Sequence, residues 1–367
     1  MNNSICFDFL KRKDFKKFKR QQIYRDILSQ IKEIAVYKGG GGLGDLVVGI
    51  PLFKSLKQAF PDAKISYMGT IYPRFEKIFK SIDYIDDYIH YERVSKGKGI
   101  KRQLEFKKKL SGRIDLLIDT QRRWETSFWL KNLSPKYMLS ASPFLSNWPM
   151  PGLPYKKMHT LEQLLALPAR LGIQDFDLAD NNINIPEQYK VKAEKFLSVY
   201  KGKFAAILPS CGMQFKNWSP ESFIKLADLL GEKGYTIILL GSTSELKLLK
   251  EVAGKIKSKV LIPAEADESF GEELLNSAAI LKKCAVAVGN DSGGMHLASC
   301  VGILSATIFG PTTPRKFAPI GSRNIIFYKK LPCSPCRFKC VRSTYRECLE
   351  MITPEVVFEK IMSSQQL

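Results

Sequence analysis

Long apolar stretches are missing from this chain of 367 residues. No run approaches the roughly 18 apolar residues of a membrane-spanning helix, so a transmembrane segment is not expected. The beginning of the chain also lacks the apolar core of a signal peptide, which predicts a cytoplasmic protein. In that compartment the 8 cysteines are expected to be thiols or metal ligands rather than disulfides. Internal repeats and low-complexity tracts are absent as well, which argues against a repeat architecture.

Acidic residues are few compared with basic ones: 36 Asp and Glu face 57 Lys and Arg, a net charge of +21. Such a surplus predicts an anionic partner, whether nucleic acid, membrane surface, phosphorylated substrate or nucleotide. There are 32 basic and 19 acidic residues up to Asp180, against 25 and 17 after it, so the first half is the more basic. One contributor is a basic amphipathic leader, residues 1–30. This leader either lies on anionic lipid headgroups or packs as a solvated helix on the first domain.

Predicted strands alternate with helical segments along the chain, which indicates an α/β protein with parallel sheets. Two such arrays predict two Rossmann-like, doubly wound domains that face each other across a cleft, an N-terminal domain at 31–187 and a C-terminal domain at 188–367. Ligands are then expected at the carboxyl ends of the strands. The clearest predicted strands are 34–37, 64–68, 115–119, 204–208, 235–240, 285–288 and 305–308.

The first candidate loop is the segment 39–45, GGGGLGD, which directly follows a predicted strand. Its glycines let the backbone turn sharply and approach a ligand, and the next helix offers free N–H groups. It is neither a dinucleotide fingerprint, because no ribose-binding acid ends the second strand, nor a Walker loop, because no Gly-Lys-Ser/Thr follows. Asp45 in the first helical turn is either a favourable charge at the helix N-terminus or a general base. Pro51 is expected to restart the helix.

Lys216 stands in the second candidate loop, between a predicted strand that ends at Leu208 and a helix. Ser219 suits the N-cap of that helix and Pro220 its first position. The lysine is either solvated, as most loop lysines are, or a point charge that binds an anionic leaving group.

The third candidate loop, VGNDSGGMHLA at 288–298, ends a buried strand and begins a helix. Backbone N–H groups at Ser292, Gly293 and Gly294 would form an anion site that the helix dipole reinforces. Asp291 would not favour a phosphate, so sugar hydroxyls are its expected partners. His296 is either a half-buried packing residue or part of this ligand site.

In order and content these segments resemble glycosyltransferase family 9, the lipopolysaccharide heptosyltransferases. The resemblance extends from about Ile34 to about Glu359, and the motifs are specific as a set. They are GLGD at 42–45, FPDAKI at 60–65, KxW at 216–218, NDSGxxHLA at 290–298 and FGPT at 309–312.

The resemblance implies a GT-B fold and inverting, metal-independent transfer of heptose from ADP-L-glycero-D-manno-heptose to a Kdo or heptose of the lipopolysaccharide core. Asp45 would be the general base, in an acceptor-side loop with Gly42 and Gly44. Lys216 and the amides around Ser292 would stabilise the charge of departing ADP. The remaining donor contacts implied are Ser210, Glu245 (at the adenosine ribose), Asp291, Gly293, Gly294 and His296.

The same resemblance implies no catalytic cofactor, a lipid-linked saccharide acceptor, peripheral contact with the cytoplasmic face of the inner membrane and no nucleic-acid partner. The final helix is expected to pack back on the N-terminal domain. Acceptor contacts are expected among basic residues of that domain, Lys96, Lys98, Lys101, Arg102, Arg122 and Arg123.

A cysteine-rich segment at 333–348 goes beyond the minimal pattern of the family. Its four cysteines fit a tetrahedral thiolate site for structural zinc or iron, and similar fingers hold iron in protein heptosyltransferases that modify autotransporters. The alternatives are reduced thiols or local disulfides. The candidate ligands are Cys333, Cys336, Cys340 and Cys348.

Other functions stay open at this point. One alternative is that the acceptor is a protein serine. Another is that the enzyme transfers a different nucleotide-activated sugar, because the predicted donor contacts recognise ADP and sugar hydroxyls rather than one epimer. A basic nucleic-acid-binding module is allowed by the charge, but no recognition motif supports it. A catalytically inactive nucleotide-sugar binder is disfavoured because Asp45, Lys216 and Asp291 are all present.

Overall fold

Parallel β/α units make up most of the chain in its computed structural model, which describes residues 28–70, 72–91, 100–140, 142, 145–147, 158–173, 183–336, 340–342 and 344–365. The chain divides into two compact units. Of the described residues, one unit contains 28–42 and 49–173, and the other contains 43–48 and 183–365. The predicted leader lies outside the described residues except for 28–30, as do Lys96, Lys98 and the side chain of Arg102.

The first unit contains a five-stranded parallel sheet in the order β3-β2-β1-β4-β5. Its strands are β1 Glu33–Lys38, β2 Lys64–Gly69, β3 Asp87–His90, β4 Leu116–Asp119 and β5 Tyr137–Ser140. The helices between its strands and after the last of them are α1 Leu43–Ala59, α2 Pro73–Phe79, α3 Ile100–Leu110, α4 Trp124–Lys131, α5 Thr160–Leu165 and the 3-10 turn Pro168–Leu171. The strand order reverses between β1 and β4, which is where open α/β sheets bind ligands.

The second unit contains a six-stranded parallel sheet in the order β11-β10-β9-β6-β7-β8. Its strands are β6 Lys203–Leu208, β7 Tyr235–Leu239, β8 Val260–Leu261, β9 Val286–Asn290, β10 Leu304–Phe309 and β11 Asn324–Tyr328. Its α-helices are α6 Glu187–Leu197, α7 Pro220–Glu232, α8 Leu246–Ala253, α9 Pro263–Ala266, α10 Ser269–Glu272, α11 Leu274–Lys282, α12 Gly293–Cys300, α13 Pro314–Phe317, α14 Glu347–Glu350 and α15 Pro354–Ser364. Short 3-10 turns are Gln214–Lys216 and Thr243–Glu245.

Every strand predicted from the sequence is present, and both sheets are parallel, as expected. Strands such as β6 and β9 are buried on both faces, so they consist of continuous apolar runs rather than alternating ones. The sequence did not predict four of the strands, namely the short strands β3, β5 and β8 and the strand β11. The N-cap prediction for α7 is confirmed, because the Ser219 side chain accepts the Ser222 N–H at 3.2 Å and Pro220 is the first helical residue.

One expectation is wrong. Pro51 does not restart a helix but lies inside the continuous helix α1, whose residues Leu52 and Phe53 are buried. Packing of the final helix α15 on the N-terminal domain stays a prediction, and its contacts within the second unit are clear. Its Val357 and Ile361 are fully buried in the core of the second unit, where the helix packs on α7. Apolar residues four positions apart lie on one face of a helix, so this pair fixes the side that is buried.

In the described part of the chain, no helix combines the length and the apolar character required to cross a membrane.

Candidate active site

The candidate site lies at the carboxyl ends of three neighbouring strands of the second sheet. Strand β9 pairs with β6 on one side and with β10 on the other. The loop after β6 carries Lys216, the loop after β9 carries Asp291, and the loop after β10 carries Thr312. Because the strands are parallel, the three loops emerge at the same edge of the sheet.

Lys216 and Asp291 bind each other. The lysine Nζ donates to the Asp291 carboxylate Oδ2 at 2.9 Å and to the Asp291 backbone oxygen at 2.6 Å. The Thr312 hydroxyl donates to the same Oδ2 at 2.6 Å. The side chains of Lys216 and Asp291 are only 15% and 8% exposed, so Lys216 is not the solvated loop lysine of the alternative interpretation. In the sequence, Thr312 is distinguished only as part of the FGPT motif.

Asn290, the last residue of β9, shapes the lysine loop. Its Oδ1 accepts the Trp218 N–H at 2.7 Å and its Nδ2 donates to the Pro209 oxygen at 3.0 Å, so one buried amide holds both ends of the loop. The Trp218 indole is buried and donates to the Ile352 oxygen at 2.9 Å. Buried polar groups of this kind require partners, which makes the loop conformation specific.

Helix α12 begins at this edge of the sheet, with Ser292 at its N-cap. The Ser292 hydroxyl is buried and has no hydrogen-bond partner among the described residues. The first N–H groups of a helix are likewise without intrahelical partners and favour an anion. Packing also requires the two glycines, because a Cβ on Gly294 would lie 2.3 Å from Leu208 Cδ2 and one on Gly293 would lie 2.9 Å from Leu43 Cβ.

The glycine-rich loop needs glycine at Gly40 and Gly41, whose φ angles are +79° and +142°. The first turns of α1, residues 43–48, belong to the same unit as His296. A Cβ on Gly44 would lie 2.9 Å from His296 Cδ2, so the two predicted residues are in close contact. His296 is 8% exposed, whereas Asp45 next to Gly44 is exposed.

The predicted donor-site residues Ser210 and Glu245 also meet. The Ser210 hydroxyl donates to Glu245 Oε1, and Glu245 Oε2 accepts the Ser242 N–H at 2.7 Å. Glu245 therefore forms a capping box with Ser242, the structural role that a glutamate at a helix start would have. A ribose-binding role for Glu245 stays a prediction.

Known proteins similar in sequence and structure identify the family of this chain. Residues 104–345 match the model of the family described as glycosyltransferase family 9 (heptosyltransferase). The chain belongs to glycosyltransferase family 9. The predicted resemblance and the prediction of a glycosyltransferase are confirmed.

Relatives of this family 9 protein include lipopolysaccharide heptosyltransferase 3 of Escherichia coli (strain K12), which is 26% identical over 311 residues that make up 79% of this chain and 87% of the relative. The solved glycosyl transferase family 9 structure from Veillonella parvula DSM 2008 matches with a TM-score of 0.75, 20% identity and coverage of 91% of this chain and 97% of that one. The E. coli ADP-heptose lps heptosyltransferase II structure gives a TM-score of 0.69, 18% identity and coverage of 92% and 99%. The predicted GT-B fold is therefore confirmed.

The cysteine-rich segment of the family 9 protein brings its four cysteines to one cavity of about 20 Å³. All four are free thiols, which is against the local disulfides of one alternative. Burial, together with the neighbouring cysteines, raises the pKa of Cys348, while backbone N–H groups lower the pKa of Cys340. No group of three or more His, Cys, Asp or Glu side chains within the described ranges is arranged to hold a metal ion. Zinc or iron binding thus stays a prediction.

A buried carboxyl group in the first unit escaped the sequence analysis. Asp119, at the carboxyl end of β4, is 0% exposed and accepts the Ser127 hydroxyl at 2.5 Å, the Ser140 hydroxyl at 2.9 Å and the Gln121 N–H at 2.9 Å. Burial raises its pKa to about 6. The loop it anchors continues into exposed Arg123. The only sequence signal was an aspartate at the end of a predicted strand.

Proposed function

We propose that this family 9 enzyme transfers heptose from ADP-L-glycero-D-manno-heptose to a Kdo or heptose of the lipopolysaccharide core. The observation that carries the proposal is the Lys216, Asp291 and Thr312 network at the strand ends of the second unit. This network holds the Lys216 ammonium group beside the N-terminus of helix α12, an arrangement that would stabilise the negative charge of a departing diphosphate.

Support for the donor comes from charge and from the relatives. The amides at the start of α12 are donors, as is the buried hydroxyl of Ser292, which has no partner in the part of the chain that the structure describes; phosphate oxygens are acceptors. Two of the three similar proteins named above are a lipopolysaccharide heptosyltransferase and an ADP-heptose lps heptosyltransferase. Ser210, Glu245 and His296 are the further donor contacts of the proposal.

In the proposed reaction an acceptor hydroxyl attacks the anomeric carbon of the heptose. The exposed Asp45 carboxylate takes the proton of that hydroxyl as the new carbon–oxygen bond forms. The bond from the anomeric carbon to the phosphate oxygen breaks on the opposite face, so the configuration inverts. ADP leaves with the electron pair, and Lys216 and the α12 amides stabilise its charge.

The acceptor is proposed to bind the more basic first half of the chain, where Arg122 and Arg123 are exposed. A core saccharide is anionic and lipid-linked. The surplus of basic residues therefore suits an enzyme that works peripherally at the cytoplasmic face of the inner membrane. No step of the reaction requires a cofactor in this proposal.

Product analysis tests donor and acceptor together. The purified enzyme is incubated with ADP-heptose and, in separate reactions, a Kdo-lipid A, a heptosylated Kdo-lipid A and a serine-containing protein acceptor. Mass spectrometry should find one added heptose on a lipid-linked acceptor, and parallel reactions with other ADP-sugars should give much less product. Transfer only to the protein, or only from another ADP-sugar, would replace the proposal with the corresponding alternative.

A further inference from the structure

The cysteine-rich segment contacts the backbone on both sides of Lys216, and Arg346 makes the contact. Its Nη1 donates to the Asn217 oxygen at 2.8 Å and to the Gln214 oxygen at 3.4 Å. The guanidinium lies 5.0 Å from the centre of the Tyr345 ring, and that ring meets Phe215 edge-on at 6.0 Å. Arg346 and Tyr345 therefore contact Gln214, Phe215 and Asn217, the residues that flank the lysine.

Arg346 is itself held in an unusual conformation. Its φ of 59° and ψ of 33° lie in the left-handed region, which costs free energy for a residue other than glycine. Its N–H donates to Cys340 Sγ at 3.3 Å, and its oxygen accepts the Leu349 N–H at 2.8 Å as helix α14 begins. The surrounding segment thus aims the guanidinium at the lysine loop.

The same segment also holds the loop that carries Thr312. The Cys336 N–H donates to the Pro311 oxygen at 3.0 Å. Leu349, the residue directly after this segment, packs closely on the same loop, because a Cβ on Gly310 would lie 2.6 Å from Leu349 Cγ. Both loops that bind Asp291 therefore rest on residues of the cysteine-rich segment.

We propose that Arg346 is a positioning residue that fixes the backbone around Lys216 and so sets the affinity for the ADP part of the donor. The inference rests on the donor role of Lys216 proposed above. Arg346 donates hydrogen bonds to the backbone oxygens of Gln214 and Asn217, which lie on either side of Lys216. Lys216 can reach Asp291 and a diphosphate only if those peptides keep their orientation. The cysteine-rich segment then has a function in donor binding that does not depend on a metal.

A double-mutant cycle tests this inference. ADP dissociation constants are measured by calorimetry for the parent, Arg346→Met, Lys216→Ala and the double variant. Arg346→Met should weaken ADP about tenfold, the effect expected for loss of a charge-assisted hydrogen bond. In the Lys216→Ala background the same change should weaken ADP less than about twofold, because the arginine acts through the lysine. Arg346→Lys should restore part of the affinity.

Arg342→Met is the matched control, because Arg342 lies in the same segment and bonds Glu347. It should leave ADP affinity unchanged. Amide exchange of residues 213–217 without ligand should accelerate in Arg346→Met but not in Arg342→Met. The exchange measurement tests whether Arg346 fixes the backbone around Lys216 even if the parent enzyme binds no ADP. Absence of ADP binding by the parent would instead contradict the proposed function.

The inference is overturned if Arg346→Met binds ADP as tightly as the parent. It is also overturned if Arg346→Met weakens ADP binding by the same factor in the Lys216→Ala background as in the parent. Tyr345→Leu covers the case in which Arg346→Met fails to fold. Tyr345 is 58% exposed, so its replacement spares the core while it removes the ring between the arginine and Phe215. Tyr345→Leu should accelerate amide exchange in residues 213–217 and weaken ADP binding. Unchanged exchange would contradict the proposal that this segment fixes the backbone around Lys216.

Discussion

Lys216 and Asp291 form an ion pair across two neighbouring strands, with Nζ 2.9 Å from Oδ2 and both side chains largely buried. The aspartate supplies the negative charge that keeps a lysine at this edge of the sheet. A diphosphate at the same place would share the lysine with the aspartate. The two residues should therefore have opposite effects on the binding of ADP.

Lys216→Ala should weaken ADP binding by roughly 30-fold, which corresponds to about 2 kcal/mol, because a charge-assisted contact to the diphosphate is lost. Asp291→Asn should bind ADP at least as tightly as the parent, because a negative charge is removed beside the diphosphate. Its turnover should nevertheless fall, because the heptose loses a predicted hydrogen-bond partner. Calorimetry with ADP and steady-state kinetics with ADP-heptose separate the two effects. A matching loss of ADP affinity in Asp291→Asn contradicts the prediction.

Asp45→Asn tests the proposed general base. The amide keeps the shape of the side chain but cannot accept a proton, so kcat should fall by about 10² to 10⁴ while ADP affinity stays the same. Asp62→Asn is the control, because the Asp62 side chain is 85% exposed on the surface. Near-normal turnover of Asp45→Asn in the product assay would remove Asp45 from this role.

Gly44→Ala should slow transfer through the contact with His296. The new methyl carbon would lie 2.9 Å from the imidazole Cδ2, so the ring must move. Crowding of this kind costs about 1 to 3 kcal/mol, so kcat/KM should fall by about fivefold to about 150-fold. Gly49→Ala is the matched control in the same helix, because a Cβ on Gly49 would meet only ordinary contacts, the nearest with Lys38 Nζ at 3.5 Å. Equal kinetics for the two variants would show that the glycine contact does not matter for transfer.

The sequence was sufficient for elements whose signals are local. Continuous apolar runs predicted the buried strands, and the Ser219 and Pro220 pair predicted the start of α7, because caps and strand burial depend on neighbouring residues. Pairing at a distance was not predictable in the same way. Lys216 and Asp291 are 75 residues apart, so only the strand order of the folded sheet decides that their side chains meet.

The cysteine-rich segment and the final helix illustrate the same limit. Cysteine spacing suggested a metal site, but spacing carries no information about Arg346, whose contacts to Gln214 and Asn217 span about 130 residues. The apolar face of α15 was evident, yet the surface that it covers depends on where α7 lies. Asp119 was overlooked because a polar residue at a strand end is ordinary, and its burial depends on Ser127 and Ser140.

Asp119 predicts a pH dependence of stability with a definite sign. Its pKa is raised from 3.8 to about 6 in the folded protein, and Tyr37, whose pKa is itself raised to about 12, faces it from β1. Because the folded state binds the proton more tightly than the unfolded state, Asp119 contributes stability that is fully present below about pH 4 and is lost as the pH rises through about 6.

Asp119→Asn should remove this dependence, because the amide is neutral at every pH and can pair with the same hydroxyls and N–H. Its free energy of unfolding relative to the parent should rise by about 2 kcal/mol between about pH 4.5 and about pH 7.5, where the parent must keep a buried carboxylate charged. Urea titrations of both proteins at the two pH values measure the difference. Asp115→Asn is the control, because Asp115 is partly exposed directly before the same strand, where it accepts the Lys32 and Glu33 N–H groups. A constant difference between parent and Asp119→Asn would mean that Asp119 keeps an ordinary pKa in the folded protein.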